Sequence, residues 1–182
     1  MMITTKEALQ RFEETATHYI HELDQFNIEQ LKEVPSDNEW SIGQMVQHLI
    51  SSALDMQLRN LDQCLMPNQD PLVPRTEKTE LGAAVFAQGS FPPIRIHVPP
   101  SPQYTPEQPA NKEQLIQGLH TVIQRMKEIE PSLKKTSKEN TMPHPSFGGL
   151  CAEEWFLLVE MHYRHHLLQL DRLKQGLVRE AT

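Results

Sequence analysis

Apolar positions recur at helical spacing in four stretches of the chain, with polar or proline-rich sequence between them. In the first, Ala8, Phe12, Ala16 (or Thr15), Tyr19, Leu23 and Phe26 return every three or four residues, the period of one face of an α-helix. Thr4-Thr5-Lys6-Glu7 offers a capping box ahead of them, so the spacing predicts a helix from Thr5 or Lys6 to about Phe26. A polar turn containing Pro35 comes next. Ser41 and Gln44 form a second capping box, with Trp40 in the staple position. Ile50, Ala53, Leu54, Leu58 and Leu61 carry that second helix to about Leu65. The third opens at Asn111 with Gln114 as capping partner, and Leu115, Leu119, Val122, Met126 and Ile129 keep the period until Pro131. A polar loop runs through Asn140. Met142-Pro143-His144-Pro145-Ser146-Phe147-Gly148-Gly149-Leu150-Cys151 then makes a tight lead-in to the fourth helix, whose stripe is Trp155, Val159, Leu170, Leu173 and Leu177. Four amphipathic helices and no credible sheet predict an all-α four-helix bundle.

Residues 66–109 break the pattern. Ten of the fourteen prolines fall there, and proline removes a backbone donor and fixes φ, so neither a long helix nor a central strand persists. Thr76 to Gln88 predicts a short helix with Leu81, Val85 and Phe86 on its apolar side, and Ile94-Arg95-Ile96-His97-Val98 reads as extended. A connection of this length is usually functional or disordered, and its apolar residues suggest a lid packed over the bundle.

The candidate chemistry sits inside the fourth stripe, where His162 and His166 fill two apolar steps. Four residues apart, their imidazoles lie about 40° apart on one face, while His165 points roughly 60° to the other side of His162. The pair supports two readings: core histidines bonded to carbonyl or carboxylate groups, or two ligands of one divalent cation. A third converging ligand decides between them. On the second helix, Ser52, Asp55 and Arg59 share the face of His48, which makes that side polar, as a cleft lining or as a surface in water. Glu160 and Arg164 alternate with the histidines and read as solvated.

Composition narrows the classes. The chain has 182 residues and a formal net charge of −7, with no basic cluster to meet nucleic acid or an anionic membrane. No apolar run approaches a bilayer span and no secretory signal is visible, so the expected location is the cytoplasm. Cys64 and Cys151 are too few for a disulfide framework or a cysteine zinc site.

Trp40-Ser41 followed by His48-Leu49, then His144-Pro145-Ser146-Phe147-Gly148-Gly149-Leu150, Glu154-Trp155 and His162-Tyr163-Arg164-His165-His166-Leu167-Leu168-Gln169, resembles the DinB/YfiT-like metalloenzyme family in one of its bacterial branches. The resemblance implies a single domain over residues 1–182 with up-down-down-up topology, in which the Pro-rich stretch 66–109 is the long crossover between helices two and three. It implies a divalent metal, zinc or nickel, on His48, His162 and His166, with His165 as an alternative ligand. Ser52, Asp55, His144 and Gln169 become candidates for the pocket or for bonding the ligands; some relatives carry a histidine where this chain has Gln169. Cys151 stands at a helix start where relatives tend to have threonine. Three histidines with an open position suit borderline metals and catalysis. The implied activity is thiol S-transfer or a related transferase or hydrolase reaction on a small molecule, with a low-molecular-weight thiol as cosubstrate and a homodimer as the form of assembly. The alternative is a non-catalytic, stress-related bundle that binds a metal or ligand.

Overall fold

A computed structural model describes residues 3–36, 38–66, 76–94 and 104–180. Its order is α1 (Thr5–Asp24), α2 (Ile28–Lys32), α3 (Ile42–Ser51), a π-helical segment (Ser52–Gln57), α4 (Leu58–Leu65), α5 (Glu80–Gln88), α6 (Lys112–Leu133), β1 (Thr141–His144), β2 (Gly148–Cys151) and α7 (Ala152–Glu180). The fold is mostly helical with one small sheet. The expected N-caps are present: Thr4, Ser41 and Asn111 each accept a hydrogen bond from the third residue of their helix, and Thr4 and Ser41 complete full capping boxes.

The long helices bury the stripes read from the sequence. α1 packs against α6 and α7, and the run from α3 through α4 packs against α7, with α3 also touching α6. Ala8, Phe12, Tyr19, Leu49, Leu61, Leu119, Val122, Trp155, Val159 and Leu173 all lie in one core cluster. Tyr19 donates its hydroxyl to the carbonyl of Tyr163 at 2.8 Å, and Phe12 meets the Tyr163 ring edge-on, which fixes α1 against the middle of α7. Among the described residues no helix is long and apolar enough to cross a membrane.

Four expectations are corrected first. α2 stands where a polar turn was expected: Asn27 and Gln30 cap it, and Leu31 is its buried anchor, but five residues are too few to display a period. α6 continues past Pro131 to Leu133, because proline in the last turn removes one bond while Leu133 is buried there. The short helix begins at Glu80 rather than Thr76, and Leu81 is 51% exposed while Val85 and Phe86 are buried. Glu160, expected in water, is only 1% exposed. Its carboxylate accepts from Arg164 Nε at 2.7 Å and Nη2 at 3.0 Å, and Nη2 also donates to the Gly89 carbonyl at 2.7 Å. That fork ties the end of α5 to α7. Of the segment expected to be extended, Arg95 to Val98 lies outside the described residues.

The lead-in to α7 is a sheet, not a loop. β1 and β2 pair antiparallel, with His144 opposite Gly148. The backbone before α5 joins them: Gly149 N–H donates to the Glu77 carbonyl and Thr79 N–H to the Phe147 carbonyl, both at 2.9 Å. A Cβ on Gly149 would lie 1.7 Å from the Thr76 oxygen, so only glycine admits this approach. Gly148 has a φ of +74°, the left-handed region that glycine occupies without strain.

Candidate metal centre

His48 occupies the last turn of α3, a helix started by the Ser41 cap and held by its buried face of Ile42, Met45, Val46 and Leu49. His162 and His166 project from adjacent turns of α7. The Nε2 atoms converge: His48 to His162 is 3.1 Å, and His166 to His162 is 3.2 Å. All three donors lie within 4.8 Å of one another, close enough to share a single ion. Around a tetrahedral ion with bonds of about 2.0–2.1 Å, neighbouring nitrogens sit about 3.3–3.4 Å apart, so the two measured edges fit a histidine set.

Electrostatics keep the rings uncharged. Burial pulls His48 down to about 3, with the neighbouring His166 adding to the shift. His166 falls to about 4, again through burial, although its bond to Gln169 works the other way. His162 is depressed well below the ordinary imidazole range by burial and by the other two rings. Neutral imidazole is the form that ligates a metal.

Each outward-facing Nδ1 has a neighbour. His166 Nδ1 lies 2.8 Å from Gln169 Oε1, an atom that only accepts, so the His166 proton is on Nδ1 and its Nε2 offers a bare lone pair. His48 Nδ1 lies 3.4 Å from the Ser52 hydroxyl. His162 Nδ1 lies 3.3 Å from Gln57 Nε2, on a residue the sequence reading did not single out. In an unbroken α-helix Gln57 would face about 180° away from His48. The π-helical segment Ser52–Gln57 takes one extra residue into its turn and swings the rest of the helix by about 100°, which brings Gln57 toward α7. No sequence signal marks that defect.

Asp55 lines the same cavity as His48 and Ser52. Its side chain is exposed at the rim of that cavity, which has a volume of about 370 Å³ and is also lined by Trp40, Tyr104 and Pro106, among others. Trp40 closes the site on that side, with its ring 4.9 Å from that of His48. Tyr104 and Pro106 belong to the Pro-rich connection, so its described end borders the site. His165 is not among the three converging donors: its ring packs edge-on against Phe91 at 5.5 Å and against His166 at 5.8 Å. His144 stabilises the hairpin, stacking on Phe147 at 4.3 Å while its Nδ1 accepts from the backbone N–H groups of Ser146 and Phe147. Cys151 is buried and its thiol is pushed up by that burial, so the α7 start does not activate it.

A curated protein of Bacillus subtilis (strain 168), described as uncharacterized protein YuaE, is 24% identical over 168 residues, covering 92% of this chain and 98% of that protein. No solved structure matches. The family model of the DinB superfamily matches residues 9–170, a span that contains His48, His162 and His166, and the chain belongs to that superfamily.

Proposed function

We propose that this chain is a metal-dependent enzyme acting on a small molecule, a thiol S-transferase or a related transferase or hydrolase, with His48, His162 and His166 holding a divalent zinc or nickel ion. We infer with it a single up-down-down-up four-helix bundle, made of α1, the α3–α4 run, α6 and α7, with the chain between Leu65 and Lys112 as the crossover. The observation that carries the reading is the meeting of three uncharged imidazoles through their Nε2 atoms at 3.1 and 3.2 Å. Gln169 turns a bare lone pair of His166 toward that point. A cation at that point would take one lone pair from each ring.

When bound, the ion supplies a Lewis acid that lowers the pKa of a thiol or water beside it. The chain's own groups do the rest. Ser52 and Gln169 hold the ligand rings in orientation. Trp40 covers one face of His48 and excludes water from it. The neighbouring cavity, walled by Trp40 and Tyr104, takes the small molecule, with Asp55 at its rim to accept a hydrogen bond from it.

The test is conjugation of cysteine to monobromobimane by metal-free protein, with and without one equivalent of zinc. Zinc should raise the rate for wild type and leave His48→Ala at background. An undiminished rate for the zinc-treated His48→Ala variant would overturn the mechanism. Stoichiometric zinc binding with no rate above background would favour a non-catalytic metal-binding protein instead.

A further inference from the structure

We infer that the Gln57 carboxamide governs which ring nitrogen of His162 carries the proton, and that it turns end for end when a cation binds at Nε2. Gln57 is then a positioning residue of the centre, and this proposal rests on the metal reading above.

Three observations converge on it. Gln57 is 2% exposed, a buried polar side chain. Its Nε2 lies 3.3 Å from His162 Nδ1, and its buried Oε1 has no hydrogen-bond partner among the described residues. It reaches this place only because the helix changes to π geometry over Ser52–Gln57, a feature frequent at functional sites.

The amide can serve either tautomer. With Nε2 toward the ring it donates to a bare Nδ1, and the His162 proton then sits on Nε2, donated to the lone pair of His48 or His166. With Oε1 toward the ring it accepts from Nδ1–H, and Nε2 becomes a lone pair like that of His166. Only the second arrangement ligates a metal. As placed, Oε1 has no hydrogen-bond partner among the described residues, so turning the amide breaks no bond at that end and the load on Nε2 decides. His166 differs, since Gln169 already presents its oxygen.

The experiment reads ¹⁵N chemical shifts of labelled histidines in wild type, Gln57→Glu and Gln57→Met at neutral pH, before and after zinc, with zinc affinity measured by competition with a chromophoric chelator. Metal-free wild type should hold His162 mainly as the Nε2–H tautomer and convert to Nδ1–H with zinc. Gln57→Glu, whose carboxylate only accepts, should show Nδ1–H before zinc is added. Gln57→Met, similar in size and unable to bond, should bind zinc about ten-fold or more weakly while its circular dichroism matches wild type. Unchanged affinity in a folded Gln57→Met variant, or the same metal-free tautomer in wild type and Gln57→Glu, would overturn the proposal. Zinc binding without a tautomer change defeats this inference alone, whereas no zinc binding by wild type defeats the metal reading and this proposal with it.

Discussion

Nε2 of His48 and Nε2 of His162 meet at 3.1 Å across 114 positions of sequence. Neither ring is part of a backbone contact that holds its helix, because α3 and α7 are anchored by Leu49, Trp155 and Val159. Removing one imidazole therefore takes a ligand without taking the fold. His48→Ala and His162→Ala should each lose zinc affinity by about 100-fold or more, since two histidines do not make a zinc site. Elemental analysis of protein purified without a nickel column checks this. Near-stoichiometric metal in either variant would mean that the ion sits elsewhere.

Glu160 and Arg164 form the pair whose loss should be felt most in stability. The carboxylate is buried and the guanidinium is 37% exposed, so Arg164→Ala strands a charge in the interior while the reverse truncation strands one near water. Breaking a buried pair from one side costs about 3–5 kcal/mol, and the partial exposure of Arg164 places this case at or below the lower end. A loss of about 3 kcal/mol lowers Tm by roughly 6–12 °C in a chain of this size. Arg164→Ala combined with Glu160→Leu should regain most of it. Thermal melts in which the double variant is no better than Arg164→Ala would show that lost packing, not the stranded carboxylate, was the cause.

What could be read beforehand was whatever is local. The caps at Thr4, Ser41 and Asn111 are settled within four residues, and the apolar stripes of the long helices report their own burial. Averaged periodicity also placed His162 and His166 on one face. It could not show the single-residue defect at Ser52–Gln57, which put Gln57 against His162. The docking of the hairpin on the segment before α5 was hidden for a different reason: it runs from Glu77 to Gly149, a contact between distant segments that no window of sequence contains. Glu160 misled because the sequence shows a carboxylate without showing that Arg164 and Gly89 close over it.

Gly149 tests that distant contact. An alanine there would press its Cβ into the Thr76 carbonyl, which is backbone and cannot rotate away. Gly149→Ala should cost about 1–3 kcal/mol, the range for overpacking a tight site. The hydrogen bond from Gly149 N–H to Glu77 should open with it, so exchange of that amide should rise more than exchange in the α1 core. Uniform acceleration across the whole chain would mean global loss of stability instead of local detachment of the segment before α5.

Acidification should destabilise the metal-free protein well before its carboxylates protonate. In the folded state His48 titrates at about 3 and both His166 and His144 at about 4, all held down mainly by burial, whereas an unfolded histidine titrates near 6.5. Between those limits the unfolded chain binds more protons than the folded one. The stability these groups carry is therefore complete above about pH 6.5 and drains away as the pH falls toward the folded values. His48 and His166, both partly exposed, each contribute less than the full ~1.4 kcal/mol per pH unit in that window, and His144 less again. Melts in the presence of a chelator should show Tm dropping from pH 7 to pH 5, and His48→Asn should show a shallower drop because one such group is gone. With zinc on the Nε2 atoms the fall should begin at lower pH, since protons must first displace the ion. A flat Tm from pH 7 to pH 5 in the chelated protein would mean that His48 and His166 are not held inside as neutral imidazoles.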